Sequence, residues 1–96
     1  MNQLVIVGRL VESPVNHNNE LFTFSINVQR PYKNANGEYE TDIIKCLITS
    51  DMQEQMSTYC SKGDLVGIKG HLETRDNSTY VYAEKITFLA THSTEE

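Results

Sequence analysis

The sequence predicts an all-β chain rolled into a small five-stranded barrel, with one short helix between the third and fourth strands. Three observations carry this prediction. Strand-like runs open the chain, Asn2–Leu10, and recur at Leu65–Thr74, and both hold glycines in their interiors: Gly8, Gly67 and Gly70. Glycine inside a strand marks a bend, a bulge or a close backbone approach, and several together suggest a sheet that curls. Between these runs, Leu21–Gln29 alternates with period two, Phe22, Phe24, Ile26 and Val28 against Thr23, Ser25, Asn27 and Gln29. That pattern belongs to a strand with one buried face.

The first strand runs from about Gln3 to Val11, with Leu4, Ile6, Gly8 and Leu10 on one side and Gln3, Val5, Val7 and Arg9 on the other. Ser13–Asn19 has the composition of a loop. After the second strand, Pro31 and Asn36-Gly37 mark a long hairpin carrying Arg30, Tyr32 and Lys33. The third strand, about Tyr39 to Thr49, sets Ile44, Cys46 and Ile48 against Ile43, Lys45, Leu47 and Thr49. Asp51 with Glu54 three residues on has capping-box spacing and starts a helix. Met52, Met56, Tyr59 and Cys60 fall on one side of it as a plug for the barrel end, and Gly63 stands where a C-cap glycine belongs. The fourth strand spans Leu65 to Thr74, Arg75–Ser78 turns tightly, and the fifth runs from about Thr79 to Leu89. This order, in so short a chain, is that of the Greek-key OB-fold. Residues 1–90 form the expected domain, and 91–96 a short polar, frayed tail.

Ninety-six residues at 39% apolar content make one globular domain with a modest core. No apolar run reaches the roughly 18 residues that span a bilayer, and Met1 leads straight into a strand, so a cytoplasmic protein is expected. Cys46 and Cys60 form no Cys-x-x-Cys pair and read as small buried hydrophobes, while His17, His71 and His92 lack metal-ligand spacing. No cofactor motif and no catalytic grouping is visible, so a binding protein is expected, without cofactor, metal or membrane partner. The net charge of −5 argues against binding nucleic acid through a generally basic surface. A local strip is still available, because Arg9, Arg30, Lys33, Lys45, Lys69 and Arg75 lie on strands or at hairpin ends.

The chain resembles the bacterial single-stranded-DNA-binding proteins of the SSB family. The matching pieces are Asn2-x-Leu-Val-Ile-Val-Gly-Arg-Leu10, Phe22-Thr-Phe24 with Asn27–Arg30, and Asn36-Gly-Glu38. Then come Ile44-x-Cys46, Lys62-Gly63, Gly70-x-Leu-x-Thr-Arg75, Ala83-Glu84 and Phe88-Leu89, in family order and near-family spacing. The resemblance implies an OB-fold that assembles as a homotetramer, with a dimer as the alternative. It also implies binding of single strands with little sequence preference, in replication, recombination or repair.

Carried over by position, the resemblance makes Lys45, Lys62 and Arg75 phosphate contacts, Tyr32 a base stacker, and Arg9 part of the outer face. Ile43 and Leu47 are base contacts, with a subunit interface or a second buried layer as the alternatives, and Tyr80 is a stacker or sheet packing. Relatives carry aromatic stackers where this chain has Ile43 and Thr49, and this chain has no tryptophan. Leu4, Val5, Ile6 and Val7 are apolar on both faces of the first strand, which suggests cover by a partner subunit. The acidic, Phe-ended tail of the family has no counterpart before Glu96, so tail-mediated recruitment of replication proteins is not expected. A competing reading is an OB-fold interaction adaptor of primosomal type, with DNA contact secondary.

Overall fold

Five strands close on themselves in the computed structural model, which describes residues 1–18 and 20–90. The elements are β1 (Leu4–Leu10), β2 (Val15–Asn18), β3 (Leu21–Lys33), β4 (Tyr39–Thr49), α1 (Ser50–Tyr59), β5 (Leu65–Arg75) and β6 (Ser78–Ala90). β1 runs antiparallel to β5, β5 to β6, β4 to β3, and β3 returns to β1 through Arg9↔Asn27 and Leu10↔Ile26. The ring is completed by a short parallel pairing of β4 with β6 at Cys46↔Val81 and Leu47↔Tyr82. A closed ring leaves few open edges. It is the OB-fold that the strand order predicts.

The core is made by the inward positions of these strands. Leu10, Phe24, Ile26, Cys46, Ile48, Val66, Ile68 and Val81 are buried, with Phe22, Ile44, Ile86 and Phe88 packed against them. α1 closes one end, placing Met56 fully inside and Met52 against the same cluster. Burying a side chain of that size contributes roughly 1.5–3 kcal/mol.

Two glycines are there because the backbones approach too closely for a side chain. A Cβ on Gly70 would lie 2.0 Å from the carbonyl oxygen of Tyr82, and one on Gly8 would lie 2.5 Å from that of Asn27. The ladder slips register at Lys69/Gly70, the bulge that lets β5 bend around the ring. Gly67 has no such neighbour, its nearest atom being 3.6 Å away, so its role is not to admit a neighbouring backbone.

The structure corrects several sequence expectations. Within the segment expected to be loop, Val15–Asn18 forms β2 on the outer edge of β3. β3 extends beyond its expected end at Gln29 to Lys33, while β4 spans the expected Tyr39–Thr49, and their hairpin turns through Asn34–Glu38. There Asn34 Oδ1 accepts from the amides of Asn36 and Glu38. The helix N-cap is Thr49 rather than Asp51, and no side chain caps it. At its other end the amide of Cys60 donates to the carbonyl of Met56, and Gly63, at φ 91°, serves the following turn instead of the helix cap. Leu4 and Ile6 pack against the chain's own core, so of the four residues expected at a subunit contact only Val5 and Val7 face outward. The last hairpin turns at Asp76 and Asn77, both with positive φ, as two-residue turns of this kind require. The expected polar tail, 91–96, lies outside the described residues.

Candidate nucleic-acid interface

Register decides which outward side chains share a surface. On β3 and β4 the outward pairs are Asn27↔Ile43, Ser25↔Lys45 and Thr23↔Leu47. Arg9 of β1 stands opposite Asn27, which continues that row onto a third strand. On the other side, Leu47 pairs with Tyr82, and β5 sets His71 opposite Tyr82 and Glu73 opposite Tyr80. One face of the ring therefore carries Arg9, Asn27, Ile43, Ser25, Lys45, Tyr80, Tyr82, His71 and Glu73 in adjoining rows.

Lys45 and Tyr80 sit at its centre. The Lys45 ammonium is 5.9 Å from the centre of the Tyr80 ring, close enough for a cation–π contact. His17, delivered by β2, meets the same ring edge-on at 5.6 Å. Hollows lie on both sides of the pair. One, of about 260 Å³, is bounded by Glu12, His17, Thr23, Ser25, Lys45 and Tyr80. The other, of about 320 Å³, is lined by Ile43, Leu72 and Thr79 along with Lys45 and Tyr80. Ile43 is 59% exposed, an apolar surface open to a ligand. Among the described residues Lys45 forms no ion pair.

The arginines are differently placed. Arg30 is held by two carboxylates: Nε and Nη2 donate to Asp42 at 3.0 and 2.9 Å, and Nη1 to Glu40 at 2.6 Å. The pairing raises the Arg30 pKa and lowers that of Asp42. Arg75 directs Nε and Nη2 onto Glu73 Oε1, at 3.0 and 2.8 Å. A phosphate reaching either guanidinium has to compete with a carboxylate already in place. Arg9 donates from Nη1 to the carbonyl of Gly63 at 3.0 Å, beside the exposed Lys62, so these two cations share one end of the face.

His71 sits between two acids. Its Nε2 is 2.7 Å from Glu73 Oε2 and its Nδ1 is 2.7 Å from Glu84 Oε2. Only the imidazolium donates from both nitrogens. The two hydrogen bonds, that to Glu73 first, raise the His71 pKa, while His71 and then Arg75 lower that of Glu73. Tyr82 stacks on the histidine with ring centres 5.2 Å apart.

The structure thus brings Arg9, Ile43, Lys45 and Tyr80 of the expected contacts onto one face. Tyr32 is 61% exposed on the extended hairpin, and Lys33 lies 5.8 Å from the Tyr39 ring there. Leu47 is a correction: it is outward by alternation but fully buried, so it offers no surface to a base. Glu12, His17, Thr23 and Ser25 were not among the expected site residues. Their convergence depends on β2, whose short polar sequence, Val-Asn-His-Asn, carries no strand signal.

Further along β1 from Arg9, Val5 and Val7 are 70% and 46% exposed, and Leu89 of β6 is 49% exposed; Val7 also lines a hollow with Arg9 and Asn27. Val5, Val7 and Leu89 line a further hollow of about 330 Å³ on β1, β5 and β6.

Comparison with known proteins agrees with the fold and names the family. Residues 1–89 match the model of the single-strand binding protein family. The chain is 41% identical to single-stranded DNA-binding protein 1 of Lactococcus lactis, over 79% of this chain and 53% of that protein. It is 33% identical to single-stranded DNA-binding protein 3 of Listeria innocua, over 93% of this chain and 64% of the relative. It therefore spans between about half and two thirds of the length of these two relatives. The small single-stranded DNA-binding protein of Streptomyces coelicolor superposes with a TM-score of 0.70 at 19% identity, covering 90% of this chain and 91% of that one. The mitochondrial single-stranded DNA-binding protein of Saccharomyces cerevisiae superposes with 0.71 at 20%, covering 93% and 94%. These two likenesses speak for the fold. The family match, running through every strand of the ring, places this chain in the single-strand binding protein family.

Proposed function

We propose that the chain binds single-stranded DNA with little sequence preference, and protects it in replication, recombination or repair. The observation that carries this reading is the Lys45–Tyr80 pair, an unneutralised ammonium beside an aromatic ring between two hollows on one open face. A single strand needs a cationic track for its phosphates and flat or apolar groups for its bases, and stacking contributes about 1–3 kcal/mol per base whatever the base. Lys45 meets phosphate, Tyr80 and Ile43 meet bases, and Arg9 with Lys62 extends the track. Tyr32 and Lys33 reach the strand from the hairpin. The relatives named above, described as single-stranded DNA-binding proteins, support the same reading.

The test is a titration of a labelled thymidine oligomer at about 50 and 200 mM salt, in a range where losing phosphate contacts weakens binding steeply. Binding should fall with salt, and Lys45→Ala should flatten the dependence by about 0.7 in log–log slope, one phosphate contact to a single strand. Arg30→Ala should leave that slope unchanged, because its charge is spent on Asp42 and Glu40. Absence of binding at the lower salt refutes the proposal.

Val5, Val7 and Leu89 form the contact between copies in this reading, giving a homotetramer, with a dimer as the alternative. A monomer by light scattering at micromolar concentration contradicts both. The neutralised Arg30 and Arg75 favour a second reading, an adaptor whose face meets protein. Stoichiometric capture of a protein partner after nuclease treatment, without strand binding, would select it.

A further inference from the structure

β2 carries one irregularity. Val15 pairs with Thr23 and Asn16 with Phe22, then the register slips before Asn18 meets Leu21, and His17 is the residue left without a partner on β3. A bulge of this kind bends its strand and re-aims a side chain. Here it serves the strand-binding face. His17 is half-buried, meets the Tyr80 ring edge-on at 5.6 Å, and lines the 260 Å³ hollow together with Lys45. The Lys45 ammonium approaches the same ring, 5.9 Å from its centre. Among the described residues His17 has no hydrogen-bonding partner and no ion pair, which sets it apart from His71, clasped between Glu73 and Glu84.

We infer that His17 is a second cation of the strand-binding face, its charge set by pH, and that its imidazolium takes a phosphate of the strand beside Lys45, so that binding takes up a proton. The inference rests on the strand-binding reading above and adds a dependence on pH to it. Histidine is the side chain whose charge ordinarily changes between pH 5 and 8. The charged groups that share the hollow with it are Lys45 of β4 and Glu12 of the segment between β1 and β2, and Tyr80 of β6 is the remaining titratable group in contact. Without a strand, Lys45 opposes a positive charge on the ring and Glu12 favours it. A phosphate between the two cations replaces their repulsion with attraction to both, and so favours the imidazolium. Linkage is reciprocal: a strand that draws a proton onto the ring is itself held more tightly when the proton is supplied.

The experiment titrates a labelled thymidine oligomer into the full chain at pH 6 and pH 8, over a series of salt concentrations and well below the melting temperature. Thymine and the phosphodiester keep their charge across this window, so the titrating groups are the protein's own. Binding should be about fivefold tighter at pH 6, short of the tenfold that a full pKa unit of coupling gives. The log–log salt slope should be steeper there by up to about 0.7, one further phosphate contact. His17→Gln should bring the ratio close to one and keep the shallower slope at both pH values. His17→Lys, whose charge is fixed, should hold at pH 8 the affinity and slope that the parent reaches only at pH 6, and its binding is the control for folding. His71→Gln should retain the ratio. Equal affinities of the parent at the two pH values overturn the inference. So does a ratio that survives His17→Gln, or one lost in His71→Gln. A ratio without a change of slope overturns the phosphate contact. Failure to bind at either pH overturns the strand-binding reading as well.

Discussion

Adding a single methyl group at Gly70 tests the way the ring closes. A Cβ there would stand 2.0 Å from the Tyr82 carbonyl oxygen, 2.9 Å from its carbonyl carbon and 3.2 Å from the Ala83 Cα. All three atoms are backbone, so no rotamer change relieves the clash, and ordinary contact requires β6 to retreat by more than an ångström. The retreat occurs at the bulge where β5 and β6 slip register, next to the short parallel pairing that closes the ring at Val81 and Tyr82. Overpacking costs about 1–3 kcal/mol, and each ladder hydrogen bond lost adds about 0.5–1.5 kcal/mol. Gly70→Ala should therefore destabilise by roughly 3 kcal/mol, the upper part of the overpacking range. At about 4–8 °C per kcal/mol for a domain of this size, the melting temperature falls by roughly 12–24 °C. Gly67→Ala is the matched control, with the nearest atoms at 3.6, 3.9 and 4.0 Å and no positive φ. It should be neutral, or gain up to about 1 kcal/mol through the unfolded state. Thermal melts of both variants by circular dichroism settle the comparison. Equal effects of the two substitutions refute the reasoning.

Further expectations rest on other parts of the molecule. The His71 pKa is raised by Glu73 and Glu84, so the stability of this clamp is present below the ordinary histidine value and is lost as pH rises through the raised one. The melting temperature should fall across that window, and His71→Gln should remove the dependence. Glu73, lowered by the same contact, gives the opposite limb: its contribution is present above the ordinary carboxylate range and lost as pH falls through the lowered value. Burial pushes the Cys46 thiol up to about 12, and burial with the nearby Asp64 charge pushes Cys60 up to about 11. Both should react slowly with a thiol reagent at pH 8 in the native state and quickly in denaturant; fast native labelling contradicts this. Met56→Ala should destabilise by about 2–5 kcal/mol, measured by urea unfolding, since a fully buried side chain leaves a cavity under the ring.

Most of the fold was legible because the ring strands obey period two. The alternation of β3 predicted which of its residues enter the core, and of the three strand glycines read as bends, bulges or close approaches, Gly8 and Gly70 prove to be close approaches while Gly67 does not. β2 was not legible, because four residues of mainly polar character acquire a strand geometry only from pairing with β3. Alternation also gives the side of a sheet and not its depth. Leu47 is outward by parity yet fully buried, sitting between Thr23 and Tyr82 across the parallel closure. The helix start was misread because a favourable Asp–Glu spacing is no guide when the strand itself runs into the helix at Thr49. The cations show a similar limit. Their positions were expected, but whether each is free depends on cross-strand partners, such as Asp42 for Arg30, that only the hairpin register brings together.

The central claim, that the Lys45–Tyr80 face receives the strand, is tested most directly by mapping amide chemical-shift changes as a thymidine oligomer is added to the labelled chain. The largest changes should fall on Thr23, Ser25, Ile43, Lys45 and Tyr80 and weaken with salt. Changes confined to Val5, Val7 and Leu89 along β1, β5 and β6, or none anywhere in the ring, would contradict it.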